Sequence, residues 1–111
     1  MVKYKIILSN KFQKELNNLY YYINYFLQEP EIAKKNYNEI MNSIKSLEYN
    51  PERYIKLYLH QEQNLRRMIV KNYIIIYKVE KSKRNVFILH IFHRESKLFK
   101  SNLIQIFLKS V

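Results

Sequence analysis

None of the 111 residues is glycine, and that absence constrains the chain more than any motif it carries. Glycine takes positive φ without a Cβ clash, so every tight turn here falls to another residue, with asparagine the natural substitute. The same absence removes the phosphate-cradling loop of P-loop NTPases, the dinucleotide fingerprint, the nucleophile elbow, the EF-hand loop and the KH clamp, all of which need a close backbone approach. No cofactor is expected. There is also no cysteine, hence no disulfide framework, thiolate zinc site, iron–sulfur cluster or Cys nucleophile, and the redox compartment is left open. The length suits one domain spanning 1–111 with a single core. Ile6 to Leu8 is far too short for a signal-peptide core and no stretch approaches a bilayer span, so a soluble cytoplasmic protein without a membrane partner is expected.

Charge is unevenly placed. Residues 1–50 hold seven Lys and five Glu, whereas residues 51–111 hold thirteen Lys and Arg against four Glu, which leaves +9 of the formal +11 in the second half. All five arginines (Arg53, Arg66, Arg67, Arg84 and Arg94) lie there, and guanidinium groups suit bidentate contacts to phosphate or carboxylate. A polyanionic partner is the natural inference, and a basic surface kept for solubility accounts for the same charge more blandly.

Hydrophobic spacing orders the elements. Val2 to Leu8 is β-branched and aromatic and reads as a strand, after which Ser9 offers an N-cap for a helix from Asn10. Phe12, Leu16, Leu19, Ile23 and Phe26 form one helical stripe. Pro30 breaks that helix and starts a second, whose stripe is Ala33, Tyr37, Ile40, Ile44 and Leu47, and Asn50-Pro51 ends it. Glu52 to Asn64 reads only as a short strand or ordered loop. Leu65–Val70, Tyr73–Glu80 and Val86–His93 are strands joined by turns at Lys71-Asn72, with Asn expected left-handed, and at Lys81 to Asn85; the tail from Lys97 to Ser110 has the spacing of a short closing helix. The fold expected is therefore α+β: an N-terminal strand, an antiparallel helix hairpin and a three-strand antiparallel meander, with the helices on one face of the sheet and the other face left to do work.

Three blocks in order carry a resemblance: Leu8-Ser9 with Leu16, Leu19, Tyr22 and Ile23; Ser46-Leu47 with Asn50-Pro51; and the run Leu65-Arg66-Arg67-Met68-Ile69-Val70-Lys71-Asn72-Tyr73-Ile74-Ile75-Ile76-Tyr77-Lys78-Val79. Together with Ile91-Phe92-His93-Arg94-Glu95 they resemble the RelE/ParE family of type II toxin–antitoxin toxins, over about 95 residues with the tail outside. The resemblance implies a growth-arresting, plasmid-stabilising toxin neutralised by a cognate antitoxin. RelE-like members cut mRNA on the ribosome, whereas ParE-like members inhibit DNA gyrase. A tyrosine of the RelE-like set corresponds here to Phe99, which has no ionisable group, and this selects the ParE-like reading, with ribosome-dependent mRNA cleavage as the alternative and a non-toxic nucleic-acid-binding module as a third.

For cleavage the candidate residues are His93 as the proton-transfer group with Arg67 and Arg94 as phosphate stabilisers. Arg66, Arg67, Lys71 and Arg94 are the candidate target or phosphate contacts. Arg66 and Arg67, being adjacent on a strand, point to opposite faces, and Arg67 is favoured for the open one beside Lys71. His90 and His93 likewise face apart and make no metal pair, so no metal is expected; His90 reads as a satisfied core histidine. Glu15, Glu39 and Glu48 read as members of solvated ion pairs. Tyr21 and Tyr25 are candidate antitoxin contacts, on a helix whose geometry is expected to keep Tyr20, Tyr21, Tyr22 and Tyr25 from forming one surface.

Overall fold

Ser9 closes the first strand, β1 (Lys5–Leu8), and opens the first helix, α1 (Asn10–Tyr21). Its hydroxyl accepts from the Phe12 N–H at 3.0 Å and donates to the Leu89 carbonyl at 3.1 Å, so one side chain caps the helix and pins it to a distant strand. The helix then widens into a π-helical turn over Tyr22–Phe26, where the Leu27 N–H donates to the Tyr22 carbonyl at 3.0 Å. The extra residue in that turn rotates Phe26 away from the stripe on which Phe12, Leu16 and Ile23 are buried, and Phe26 is left 76% exposed. The spacing that placed Phe26 in the core holds only for a straight α-helix; the π turn corrects it.

Gln28 takes a left-handed φ of 54° between the helices, and Pro30 then occupies the first turn of α2 (Pro30–Lys45). Ala33, Ile40 and Ile44 are buried and Leu47 continues the stripe from a 3₁₀ turn at Ser46–Glu48, while Tyr37 is exposed rather than core. A second 3₁₀ turn, Pro51–Arg53, follows left-handed Asn50. The Arg53 guanidinium donates back to the carbonyls of Ser46, Tyr49 and Asn50 at 3.3, 2.8 and 3.0 Å, filling acceptors that the end of the helix leaves open.

The described residues of the computed structural model are 2–59 and 62–94, and the proposed tail helix lies outside them. Four further strands, β2 (Lys56–Leu59), β3 (Glu62–Val70), β4 (Tyr73–Glu80) and β5 (Asn85–His93), run as an antiparallel meander, and β1 lies parallel beside β5, giving the order β1-β5-β4-β3-β2. The meander thus has four strands where three were expected. The added β2 is four residues long with a register shift between Leu57 and Leu59, too short and irregular for its period to stand out. At the β3–β4 turn it is Lys71, with φ 54°, that is left-handed and not Asn72; Arg84, with φ 56°, does the same before β5. Without glycine, each such residue carries a Cβ penalty of about 1–2 kcal/mol.

Both helices pack on one face, where Phe12, Leu16, Ile40, Ile44 and Leu47 meet Met68, Ile75, Tyr77, Val79, Val86 and Ile88. Central strand β4 also buries its other face, on which Ile74 and Ile76 join Leu65 and Phe92 in a second, smaller apolar cluster. Tyr77 sits in the main core, fully buried, and its hydroxyl donates to the Pro51 carbonyl at 2.6 Å. Burial disfavours the phenolate and pushes the Tyr77 hydroxyl well above its ordinary value of 10.0. The folded state therefore keeps this proton after the unfolded chain has lost its own, so stability is intact below about pH 10 and falls as pH rises beyond it. Tyr77→Phe is expected to flatten that alkaline loss in urea titrations, while costing about 1 kcal/mol at neutral pH by orphaning the Pro51 carbonyl. An alkaline limb as steep as that of the unmodified chain would contradict the assignment.

Candidate functional site

The adjacent arginines of β3 separate as strand alternation requires. Arg66 turns to the helix face, where Nη1 donates to the Tyr54 carbonyl at 2.8 Å and Nη2 meets Glu52 Oε2 at 3.3 Å. Its side chain is 12% exposed, and these contacts fasten the Pro51–Arg53 turn to the sheet. Arg67 turns to the opposite face, in register with Ile76 of β4 and His90 of β5. It is half-buried, and its Nε is shielded from solvent with no hydrogen-bond partner among the described residues.

His93 lies opposite Tyr73 and shares its helix-side face, with the rings edge to face at 5.6 Å. The Tyr73 hydroxyl accepts from Asn36 Nδ2 at 3.1 Å, which ties this corner to α2. The Arg94 N–H donates to the Asn72 carbonyl, and Lys71 from the same turn pairs with Glu39 Oε2 at 2.8 Å. Lys71, His93 and Arg94 are therefore gathered at one end of the sheet. Arg67 is four residues back along β3, about 13 Å by strand rise, and on the other face. The candidate cleavage set His93, Arg67 and Arg94 is thus divided between two faces, and Phe99 lies outside the described residues.

His90, not His93, is the histidine on Arg67's face, two strands away. Its Nδ1 is 3.3 Å from Glu15 Oε1, its ring stacks on Phe92 at 5.5 Å, and the same Glu15 oxygen accepts the Ile91 N–H at 3.4 Å. Strand β1 pairs with β5 only as far as Ile88, so beyond that point α1 covers the edge, and Glu15 supplies the acceptor that a neighbouring strand would have provided. The solvated-pair reading of Glu15 is replaced by this tertiary role; the signal available in the sequence was the one-helix-turn offset of Glu15 from the buried Phe12–Leu16 stripe. Glu48 pairs with Lys3 at 3.1 Å, and that hydrogen-bonded carboxylate holds the Lys3 ammonium above its usual range.

The tyrosines Tyr20, Tyr21, Tyr22 and Tyr25 do not form one surface, as expected, but three of them meet. Tyr20, Tyr21 and Tyr25 do line one cleft, of about 680 Å³, together with Tyr37 of α2, Asn17, Asn24, Asn38 and Lys34. Tyr21 and Tyr25 stack at 5.3 Å, and Tyr20 contacts Tyr21 and Tyr37 edge to face at 6.5 and 6.0 Å. Only Tyr22 stands apart, stacked on Phe26 at 5.3 Å. Reasoning on α1 alone missed Tyr37, which closes the cleft from the second helix. Among the described residues there is no cluster of three metal-ligating side chains and no helix long and apolar enough to cross a membrane.

A five-strand sheet carrying a helix hairpin on one face is the fold of known bacterial and archaeal toxins. The chain is similar to the chromosomal ParDE toxin–antitoxin structure from P. aeruginosa (17% identity, 86% of this chain, 100% of that one, TM-score 0.64). It is also similar to the RelBE2 toxin–antitoxin complex from Mycobacterium tuberculosis (19%, 86% and 97%, TM-score 0.61) and to the archaeal RelE–RelB complex from Pyrococcus horikoshii OT3 (24%, 86% and 98%, TM-score 0.62). No curated protein matches by sequence. The family model for the ParE toxin of the type II toxin–antitoxin system parDE matches residues 6–98, and the chain belongs to that family.

Proposed function

We propose that this protein arrests growth by binding DNA gyrase, in the cytoplasm, and is neutralised by a cognate antitoxin. The observation that carries the reading is the division of the cleavage candidates: His93 packs against Tyr73 on the helix side while Arg67 faces the other way. A 2′-hydroxyl attack needs its base and its phosphate-stabilising cations around one reacting centre, within hydrogen-bond reach of it. A binding toxin needs no such convergence. Arg67, Lys71 and Arg94 then serve as cationic contacts to the target, and Tyr21 and Tyr25, in a cleft lined by rings and amides, receive the antitoxin. Membership of the ParE toxin family supports the same choice over mRNA cleavage on the ribosome.

The test is toxicity of His93→Ala. Removing a general acid–base group costs typically 10²- to 10⁴-fold, whereas truncating one ring at a binding surface removes a modest part of the affinity. His93→Ala is expected to remain substantially toxic on induction and to inhibit supercoiling by purified gyrase. A folded, harmless His93→Ala protein, together with cleavage of mRNA on translating ribosomes by the unmodified chain, would establish the nuclease instead.

A further inference from the structure

The cleft between the two helices mixes rings with amides, and that mixture decides what it can hold. Tyr21 and Tyr25 are 58% and 66% exposed, and Tyr37 is exposed across from them on α2. Tyr21 and Tyr25 lie nearly parallel, at 19°, whereas Tyr20 sets Tyr21 and Tyr37 at 85° and 81° to itself, so the wall is ridged rather than flat. The side-chain amides of Asn17, Asn24 and Asn38 make no hydrogen bond among the described residues. No carboxylate lines the cleft among those residues. Its one charged group there is Lys34, which is in no ion pair with any of them.

Peptides are recognised in a few recurring ways, and this lining excludes most of them. A β-strand needs a sheet edge to pair with, and the cleft lies between two helices. An amphipathic helix satisfies its own backbone and presents apolar side chains, so it would cover the amides and tyrosine hydroxyls without pairing them, at about 1–3 kcal/mol each. Phosphate recognition uses clustered arginines, and no arginine lines the cleft among the described residues. A polyproline II segment suits both parts of the lining. It has no internal hydrogen bonds, so its carbonyls are open to asparagine amides and tyrosine hydroxyls, and its proline rings pack on aromatic faces. Its backbone is ordered before it binds, which matters at a cleft whose rings are largely exposed. Lys34, on a chain of net charge +11, selects acidic residues among the prolines and disfavours basic ones.

We propose that the cleft takes a proline-bearing, acidic segment of the antitoxin in the polyproline II conformation. Tyr21, Tyr25 and Tyr37 hold the proline rings, Asn17 and Asn38 donate to backbone carbonyls, and Lys34 pairs with a carboxylate. Tyr22, stacked on Phe26 outside the cleft, takes no part. This assignment rests on the reading that the antitoxin occupies the cleft, and adds the chemistry of the segment it inserts.

The probe is a synthetic acetylated peptide of proline pairs separated by single glutamates. It is titrated to about 1 mM against the full chain, made by cell-free synthesis with labelled tyrosines and followed by NMR. The resonances of Tyr21, Tyr25 and Tyr37 are expected to shift saturably while that of Tyr22 stays in place. Tyr21→Ala and Tyr37→Ala should each weaken binding by about tenfold or more, and Asn38→Ala by about two- to tenfold, in proteins that remain folded. A helical glutamate–alanine peptide of equal charge should bind at least about tenfold more weakly, and Lys34→Glu should turn the preference toward the lysine counterpart of the proline peptide. No shift at the highest concentration, equal binding of the helical peptide, or indifference to Tyr21→Ala would each overturn the proposal. Affinity for the antitoxin separates this inference from the reading beneath it. If Tyr21→Ala and Tyr25→Ala leave that affinity unchanged, the antitoxin does not occupy the cleft; if they weaken it and the proline peptide still does not bind, the polyproline assignment alone fails.

Discussion

Phe12→Ala is expected to remove about 3–5 kcal/mol of folding stability, a large fraction of the roughly 5–15 kcal/mol that a domain of this kind possesses. Phe12 is completely buried and belongs to the cluster where α1, α2 and the sheet meet. Its backbone N–H also receives the Ser9 cap, so the ring and the start of the helix are set together. Truncation leaves a cavity that three packed elements cannot collapse into without shifting the capped turn. The matched control is Phe26→Ala, whose ring is exposed on the π turn and whose loss should stay within about 0.5 kcal/mol. Urea unfolding midpoints at a constant slope measure both. Equal effects at the two positions would mean that the hairpin does not rotate Phe26 outward as described.

Arg66→Ala and Arg67→Ala are expected to fail in opposite ways. Arg66 is shielded and bonded to the Tyr54 carbonyl and to Glu52, so its loss strands an acceptor and a carboxylate and should cost about 1.5–3 kcal/mol. Glu52 keeps Lys81 at 3.3 Å, which tempers the cost. Arg67 makes no side-chain hydrogen bond among the described residues through Nε and stands on the face away from the helices, so its loss should spare the midpoint and, under the proposed gyrase binding, lower supercoiling inhibition by degrees. Parallel measurements of unfolding midpoint and supercoiling inhibition separate a fastening arginine from a contacting one. If Arg66→Ala left the midpoint unchanged, the tie between the 3₁₀ turn and the sheet would have no energetic standing.

Those two arginines also show what could be read from residues alone. Alternation along a strand was enough to divide them between faces. Ser9 announced the start of α1 because a hydroxyl directly before an amphipathic period has one common use. The π turn was invisible, since nothing in Tyr-Ile-Asn-Tyr-Phe distinguishes five residues per hydrogen-bonded ring from four. Strand β2 was hidden by its brevity and its bulge. The left-handed position at the β3–β4 turn followed turn geometry over residue preference, which is why Lys71 and not Asn72 adopts it. The cleft was missed because its fourth ring comes from another helix, and side-chain spacing within one element carries no information about that.

The parallel pairing of β1 with β5 has a kinetic meaning. Ser9 and Leu89, bonded through a side chain, are 80 residues apart, and every register contact of β1 spans a similar distance. At synthesis rates of about 5–20 residues per second, roughly 4–16 s separate the appearance of β1 from that of its neighbour β5. During that interval the hairpin helices can form, but the layer they are meant to cover still lacks β5, the strand that joins β1 to the rest of the sheet, and closing so long a loop is slow compared with pairing adjacent hairpins. Loop length thus favours helices and meander first and the N-terminal strand last, so the sheet cannot close until β5 has emerged.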